Sequence, residues 1–185
     1  MTQANPTQHI SHWLSGFGAA LERGDHAAAV AMFDGDCYWR DLVSFTWNIK
    51  TMEGQEAIRK MLDATAAAVQ PGSWQIEGEA TEAGGVTEAW FAFETAQARG
   101  RGQIRLKGDR CWTLLTTMTE LKGFEEAKGA NRPMGVEHGA SQDSKNWLER
   151  KVQEEAELGY KTQPYCVIIG GGQGGIAMGD RKSTV

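Results

Sequence analysis

Three glycines near the C-terminus, Gly170, Gly172 and Gly175, stand in the spacing G-x-G-x-x-G directly after the apolar run Tyr165 to Ile169. That pattern is suited to holding a diphosphate. Gly170 permits a tight turn, and Gly172 lets the main chain approach a pyrophosphate with no Cβ in the way. Gly175 lets the following helix pack closely on the strand. The helix N-terminus then offers free N–H groups and a partial positive charge to the phosphates. The spacing predicts the strand, phosphate loop and helix start of a dinucleotide-binding (Rossmann) motif over 164–185. An acidic partner for the ribose belongs about 20 residues further on, past Val185, and one parallel strand has no neighbours to pair with. The expectation is therefore a truncated site that marks descent and does not bind a nucleotide by itself.

Acid–base candidates lie in "CYWRDLVSFTW". An inward Asp41 with Arg40 beside it could hold a water for proton transfer. Such chemistry needs a second carboxylate on another strand, and Glu88 and Glu94 qualify only by residue type. The competing reading is an Arg–Asp pair that fixes a strand or an interface. On a strand, Trp39 and Asp41 face one way, Tyr38 and Arg40 the other. Trp39, Trp47, Trp90 and Trp112 are the candidates to line a substrate pocket. Phe91 and Phe93 share the face opposite Trp90 and Ala92. His12 reads as a helix-edge residue, while His9, His26 and His138 are less constrained. No H-x-x-x-H or paired His/Asp spacing suggests a metal.

Elements must position these groups. Ile10, Trp13, Leu14, Phe17 and Leu21 mark one face of a helix, and Asp25 is placed to cap a second one through "HAAAVAMF". "CYWRDLVSFTWNI" reads as two short strands around a bend. A helix through "TMEGQEAIRKMLDATAAAVQ" turns Ile58, Met61, Leu62 and Val69 inward and stops at Pro71-Gly72. The segments "SWQIEGEAT", "VTEAWFAFETAQ", "GRGQIRLKG" and "RCWTLLTTMTEL", separated by glycine turns, predict an antiparallel meander. Arg99, Arg101, Arg105 and Lys107 alternate on its wet face. This is α+β logic, a curved antiparallel sheet with helices packed on one side, and a bent sheet of this kind tends to enclose an apolar cavity. Domains are expected at 7–122 for the α+β cone, 123–163 for a linker with a charged helix, and 164–185 for the glycine motif. In the linker helix, near Lys145 to Leu158, the apolar points are Trp147, Leu148 and Val152.

Composition bounds the rest. With 185 residues, 41% hydrophobic content and seven Trp, a real core is available, and the net charge of −5 gives no electrostatic footprint for nucleic acid or an anionic membrane. Cys37, Cys111 and Cys166 are widely spaced and odd in number, which argues for reduced thiols in a cytoplasmic setting. The opening "MTQANPTQHISHW" has neither a basic nor an apolar leader region. No apolar run approaches the ~20 residues of a membrane helix.

The element order resembles the SnoaL-like cone domains of the nuclear transport factor 2 superfamily, over roughly 110 residues. A narrower likeness is carried by "DCYWRDLVSFTWNIKTMEG", "LKGFEEAKGANRPMGVEHG", "NWLERKVQEEAELGY" and "QPYCVIIGGGQGGIAMG". In that order they resemble flavin-containing monooxygenase-like oxidoreductases with a cone domain ahead of the flavin domain, and the likeness fails at "DRKSTV". The resemblance implies FAD and NAD(P)H as cofactors and oxygen as co-substrate in the parent family, with turnover not expected from this chain alone. It also implies a small-molecule ligand and a homodimer through the cone sheet. Two alternatives stand beside it: a non-catalytic ligand-binding or dimerisation module, and a stand-alone SnoaL-like hydrolase, isomerase or dehydratase.

Overall fold

The computed structural model describes residues 5–132, 145–163 and 166–183, and the chain separates into two units, Met1–Glu126 and Ala127–Val185. In the first, helix α1 (Pro6–Glu22) starts where the Asn5 side chain accepts a hydrogen bond from the Thr7 amide at 3.0 Å. Its predicted face, Ile10, Trp13, Leu14, Phe17 and Leu21, is buried. Helix α2 (His26–Ala31) is capped by Asp25, which accepts from the Ala28 amide at 2.9 Å. Strands β1 (Phe33–Leu42) and β2 (Ile49–Glu53) pair antiparallel and lead into α3 (Gly54–Val69). That helix ends with Gln70 left-handed at φ 47° before Pro71, which has no N–H to continue it. Strands β3 (Gly72–Ala83), β4 (Val86–Glu94), β5 (Ala98–Lys107) and β6 (Arg110–Leu121) form the expected antiparallel meander.

The six strands lie in the order β2-β1-β6-β5-β4-β3. The sheet is mixed, and this corrects the all-antiparallel expectation: β1 runs parallel to β6, with Trp39 opposite Leu114 and Asp41 opposite Thr116. Helix α2 brings the chain back to the sheet in the direction of β6, so the first hairpin docks onto the last strand. This pairing joins segments some seventy-five residues apart in sequence, and local periodicity carries no signal for it.

Two glycines decide which face of the sheet turns inward. On β5 the buried positions are Ala98, Gly100, Gly102, Ile104 and Leu106. A Cβ at Gly100 would strike the Phe93 ring, and one at Gly102 would strike the Phe91 ring and the Leu115 carbonyl. Bare backbone at these points lets both phenylalanines lie flat over β5. The opposite face carries Arg99, Arg101, Gln103, Arg105 and Lys107, as predicted for a wet surface.

In the second unit, α4 (Trp147–Glu157) begins with a reciprocal cap between Asn146 and Glu149. Trp147, Leu148 and Val152 are exposed on it. Helix α5 (Gln173–Ser183) follows the glycine cluster. The expected strand before that cluster has no strand partner among the described residues, where Cys166–Ile169 is unpaired chain. Pro164 and Tyr165, like His138 and the 133–144 part of the expected irregular stretch, lie outside the described residues. Among the described residues no helix is long and apolar enough to cross a membrane.

Candidate functional site

Asp41 is the fully buried acidic side chain of the first unit. Strand β1 points it inward beside Trp39, and the next residues, 43–48, fold back over it. Its Oδ1 accepts hydrogen bonds from the Ser44 amide at 3.2 Å and the Thr116 hydroxyl at 2.8 Å. Its Oδ2 accepts from the Phe45 amide at 3.0 Å, the Thr46 amide at 2.8 Å and the Thr46 hydroxyl at 2.8 Å. Five donors thus meet a carboxylate that offers about four lone-pair sites. Behind it, the Trp39 indole donates to the Thr116 oxygen at 2.9 Å, extending the network into the core. What Asp41 holds is a tight, unusual loop, in which Val43 and Trp47 take left-handed backbone angles, φ 60° and 52°. For β-branched Val43 this conformation is strained.

Arg40 does not join Asp41. Alternation sends it to the outer face, where it donates to the Thr51 hydroxyl at 3.2 Å. The expected Arg–Asp pair is therefore absent, because neighbours on a strand point to opposite sides. Glu88 and Glu94 also lie outside, held by Arg105 at 2.8 Å and Lys122 at 2.8 Å respectively. The Lys122 ammonium holds the Glu94 carboxyl below its ordinary value.

The interior behind Asp41 is filled with rings. Trp39 stacks edge-on with Phe45 at 4.9 Å between centroids, Phe45 meets Phe93 at 6.1 Å, and Trp74 stacks on Phe93 at 5.1 Å. Phe17 joins Trp39 and Trp74 at 5.8 and 5.3 Å. Phe45 comes from the loop that Asp41 holds, and it is buried between Trp39 and Phe93. The Trp74 indole nitrogen is buried without a partner, and its ring leaves no room for a Cβ at Gly18, which would stand 2.7 Å away.

Of the four tryptophans expected to line a pocket, only Trp39 is inside. Trp47 is exposed at the loop tip, and Trp90 is 41% exposed on the outer face. There the Arg101 guanidinium lies 4.5 Å from the Trp90 ring centre, and the Lys107 ammonium sits 3.7 Å over Trp112. Residue type alone does not distinguish the two faces of β4 and β6. The residues that sequence reasoning missed are Thr46, Thr116 and Phe45. Nothing in the composition around them singles them out, though the parity of Thr116 with Leu114 on β6 places its side chain inward.

In the second unit, Gly170 takes φ 110°. The space beside Gly171 and Gly172 is open, whereas a Cβ at Gly175 would strike the Gly170 carbonyl. The start of α5 thus lies against the turn, and the main chain of residues 170–172 is bare. Among the described residues no group of three or more His, Cys, Asp or Glu side chains converges to hold a metal.

No family model matches this sequence, and no curated protein matches it. Solved structures do match. One is a domain of unknown function with a cystatin-like fold from Nostoc punctiforme, 15% identical, with a TM-score of 0.52 over 64% of this chain and 80% of that one. Another is a ketosteroid isomerase-like protein from Erwinia carotovora atroseptica, 9% identical, with a TM-score of 0.51 over 65% of this chain and 99% of that one. At these identities the likeness is one of fold: the first unit has the cystatin-like cone architecture that its element order predicts.

Proposed function

We propose that this cone is a non-catalytic assembly module, which pairs with a second copy of itself through the outer face of its sheet. The observation that carries this reading is the filled interior, closed by Phe45 over an Asp41 whose lone pairs are all engaged. A hydrolase, isomerase or dehydratase of this fold would need room for substrate and a carboxylate free to take a proton. The outer face has the marks of a contact surface instead. Trp90, Gln103, Leu115 and Arg40 line up across β4, β5, β6 and β1, and half-exposed Tyr38 stands nearby on β1. Cations on β5 are neutralised within the face: Arg101 meets Glu77 at 2.5 Å, Arg105 meets Glu88 at 2.8 Å, and Arg99 meets Glu120 and Glu125 at 2.9 and 3.0 Å. A flat aromatic anchor among paired charges suits a self-complementary two-fold contact. Sedimentation equilibrium on the full chain tests this. Wild type is expected as a dimer and Trp90→Glu as a folded monomer; a monomeric wild type contradicts the reading.

The glycine loop favours a second role, the first turn of the FAD site in a flavin-dependent monooxygenase-like oxidoreductase. Its support is the left-handed Gly170, the open main chain at Gly171 and Gly172, and the close approach at Gly175. The residues that would hold the diphosphate are the amides of 170–172 and the first turn of α5. FAD, when bound, supplies hydride acceptance from NAD(P)H and reaction with oxygen. As a first turn alone it is expected not to hold a nucleotide, so titration with ADP should leave the amide resonances of residues 170–175 unmoved; saturable shifts there would contradict this.

A further inference from the structure

A hollow of about 530 Å³ opens on the helical side of the cone, far in sequence from Asp41's loop, where α1 ends, α2 begins and α3 ends. Its walls are apolar at Leu21, Ala66 and Pro71, and its polar side chains are Glu22, His26 and Gln70. No lysine or arginine lines it. Arg23, which follows α1, is exposed and is not among the lining residues.

Glu22 brings the hollow's one formal negative charge, and the Gln70 carboxamide can both accept and donate. His26 Nδ1 lies 2.7 Å from Asp63 Oδ1, and Arg59 approaches the other Asp63 oxygen at 3.7 Å. A carboxylate can only accept, so Nδ1 carries a proton, and in the uncharged form of the ring Nε2 is a lone pair. Glu22 has no hydrogen-bond or ion-pair partner among the described residues. The Ala67 carbonyl would meet the amide four residues on, but that residue is Pro71 and has none. Neither α1 nor α3, which both end here, has a basic residue in its last turn, and Arg23 caps α1.

We infer that this hollow binds a small organic ammonium ion. The ammonium group donates to the Glu22 carboxylate and His26 Nε2, while its hydrocarbon body lies against Leu21, Ala66 and Pro71. The volume falls in the range of small-molecule sites. Asp63 is a positioning residue, since it fixes the imidazole tautomer without touching the ligand. An anion would meet the Glu22 carboxylate there with no lysine or arginine to offset it.

The test is a titration of the full chain with benzylammonium chloride, and in parallel with benzyl alcohol, followed by the His26 imidazole resonances and the amides of residues 21–26 and 66–72. The ammonium salt should give saturable shifts confined to those residues, and the alcohol should not. Glu22→Gln, a change at an exposed side chain, should weaken binding about tenfold or more, as expected for loss of a charge-assisted hydrogen bond. Glu88→Gln on the far sheet face should bind like wild type. The inference is overturned if the ammonium salt gives no saturable shift, if the alcohol binds equally, or if Glu22→Gln binds as tightly as wild type.

Discussion

Asp41 organises its surroundings by accepting five hydrogen bonds, and substitution there should read out as stability. Asp41→Asn keeps the volume but turns an amide N–H₂ toward groups that are themselves donors. The expected cost is on the order of 3 kcal/mol in urea unfolding. Lys60→Ala, at an exposed position of α3, should stay within about 0.5 kcal/mol of wild type. A catalytic carboxylate gives the opposite pattern, in which neutralisation leaves stability unchanged or improved. The thiols make a second residue-scale test. Cys37 and Cys111 are buried and Cys166 is exposed, and burial pushes the Cys111 thiol well above its ordinary value of 9.0. Iodoacetamide should label one thiol in the native chain and three in denaturant, as counted by mass spectrometry. The raised folded value means that the neutral thiol's contribution is fully present below 9.0 and fades as pH rises beyond it. Thermal melts should therefore weaken on the alkaline side, and less so in Cys111→Ser.

At the scale of elements, β5 sets the inside and outside of the cone. Gly102→Ala should cost about 1–3 kcal/mol, because the added methyl meets the Phe91 ring and a backbone carbonyl that cannot move aside. Gln103→Ala, its outward neighbour, should be nearly neutral in the same melts. This strand also explains what the sequence could and could not tell. The α1 face, the capped α2, the α3 stop at Pro71 and the four-strand meander are local patterns, readable from periods of 3.6 and 2 and from glycine turns. Which side of β4 faces in depends on rings lying over Gly100 and Gly102 on a neighbouring strand, and that contact has no local signature. For this reason Trp90 and Trp112 fit a pocket by residue type and yet lie on the outer face. The parallel β1–β6 seam and the Thr116–Asp41 bond across it are hidden for the same reason, since both join residues far apart in sequence.

Across the whole molecule, the cone with its fold-level relatives is a scaffold whose cavity is a matter of side-chain filling, and the fold alone does not say whether it holds a ligand. Here Phe17, Trp39, Phe45, Trp74, Phe91 and Phe93 fill it. The interactions we propose therefore lie on the surface: a charge-paired sheet face that carries Trp90, the hollow beside Glu22 and His26, and a glycine turn in the second unit. Phe45→Ala should cost about 3–5 kcal/mol and leave an apolar space between Trp39 and Phe93. Benzene is a fitting probe because dry apolar cavities accept it. The most direct measurement is a benzene titration of wild type and Phe45→Ala, followed by the aromatic resonances of Trp39 and Phe93. A filled cone predicts no saturable response in wild type and saturable binding in the variant. Saturable binding of benzene among those rings in wild type would contradict it.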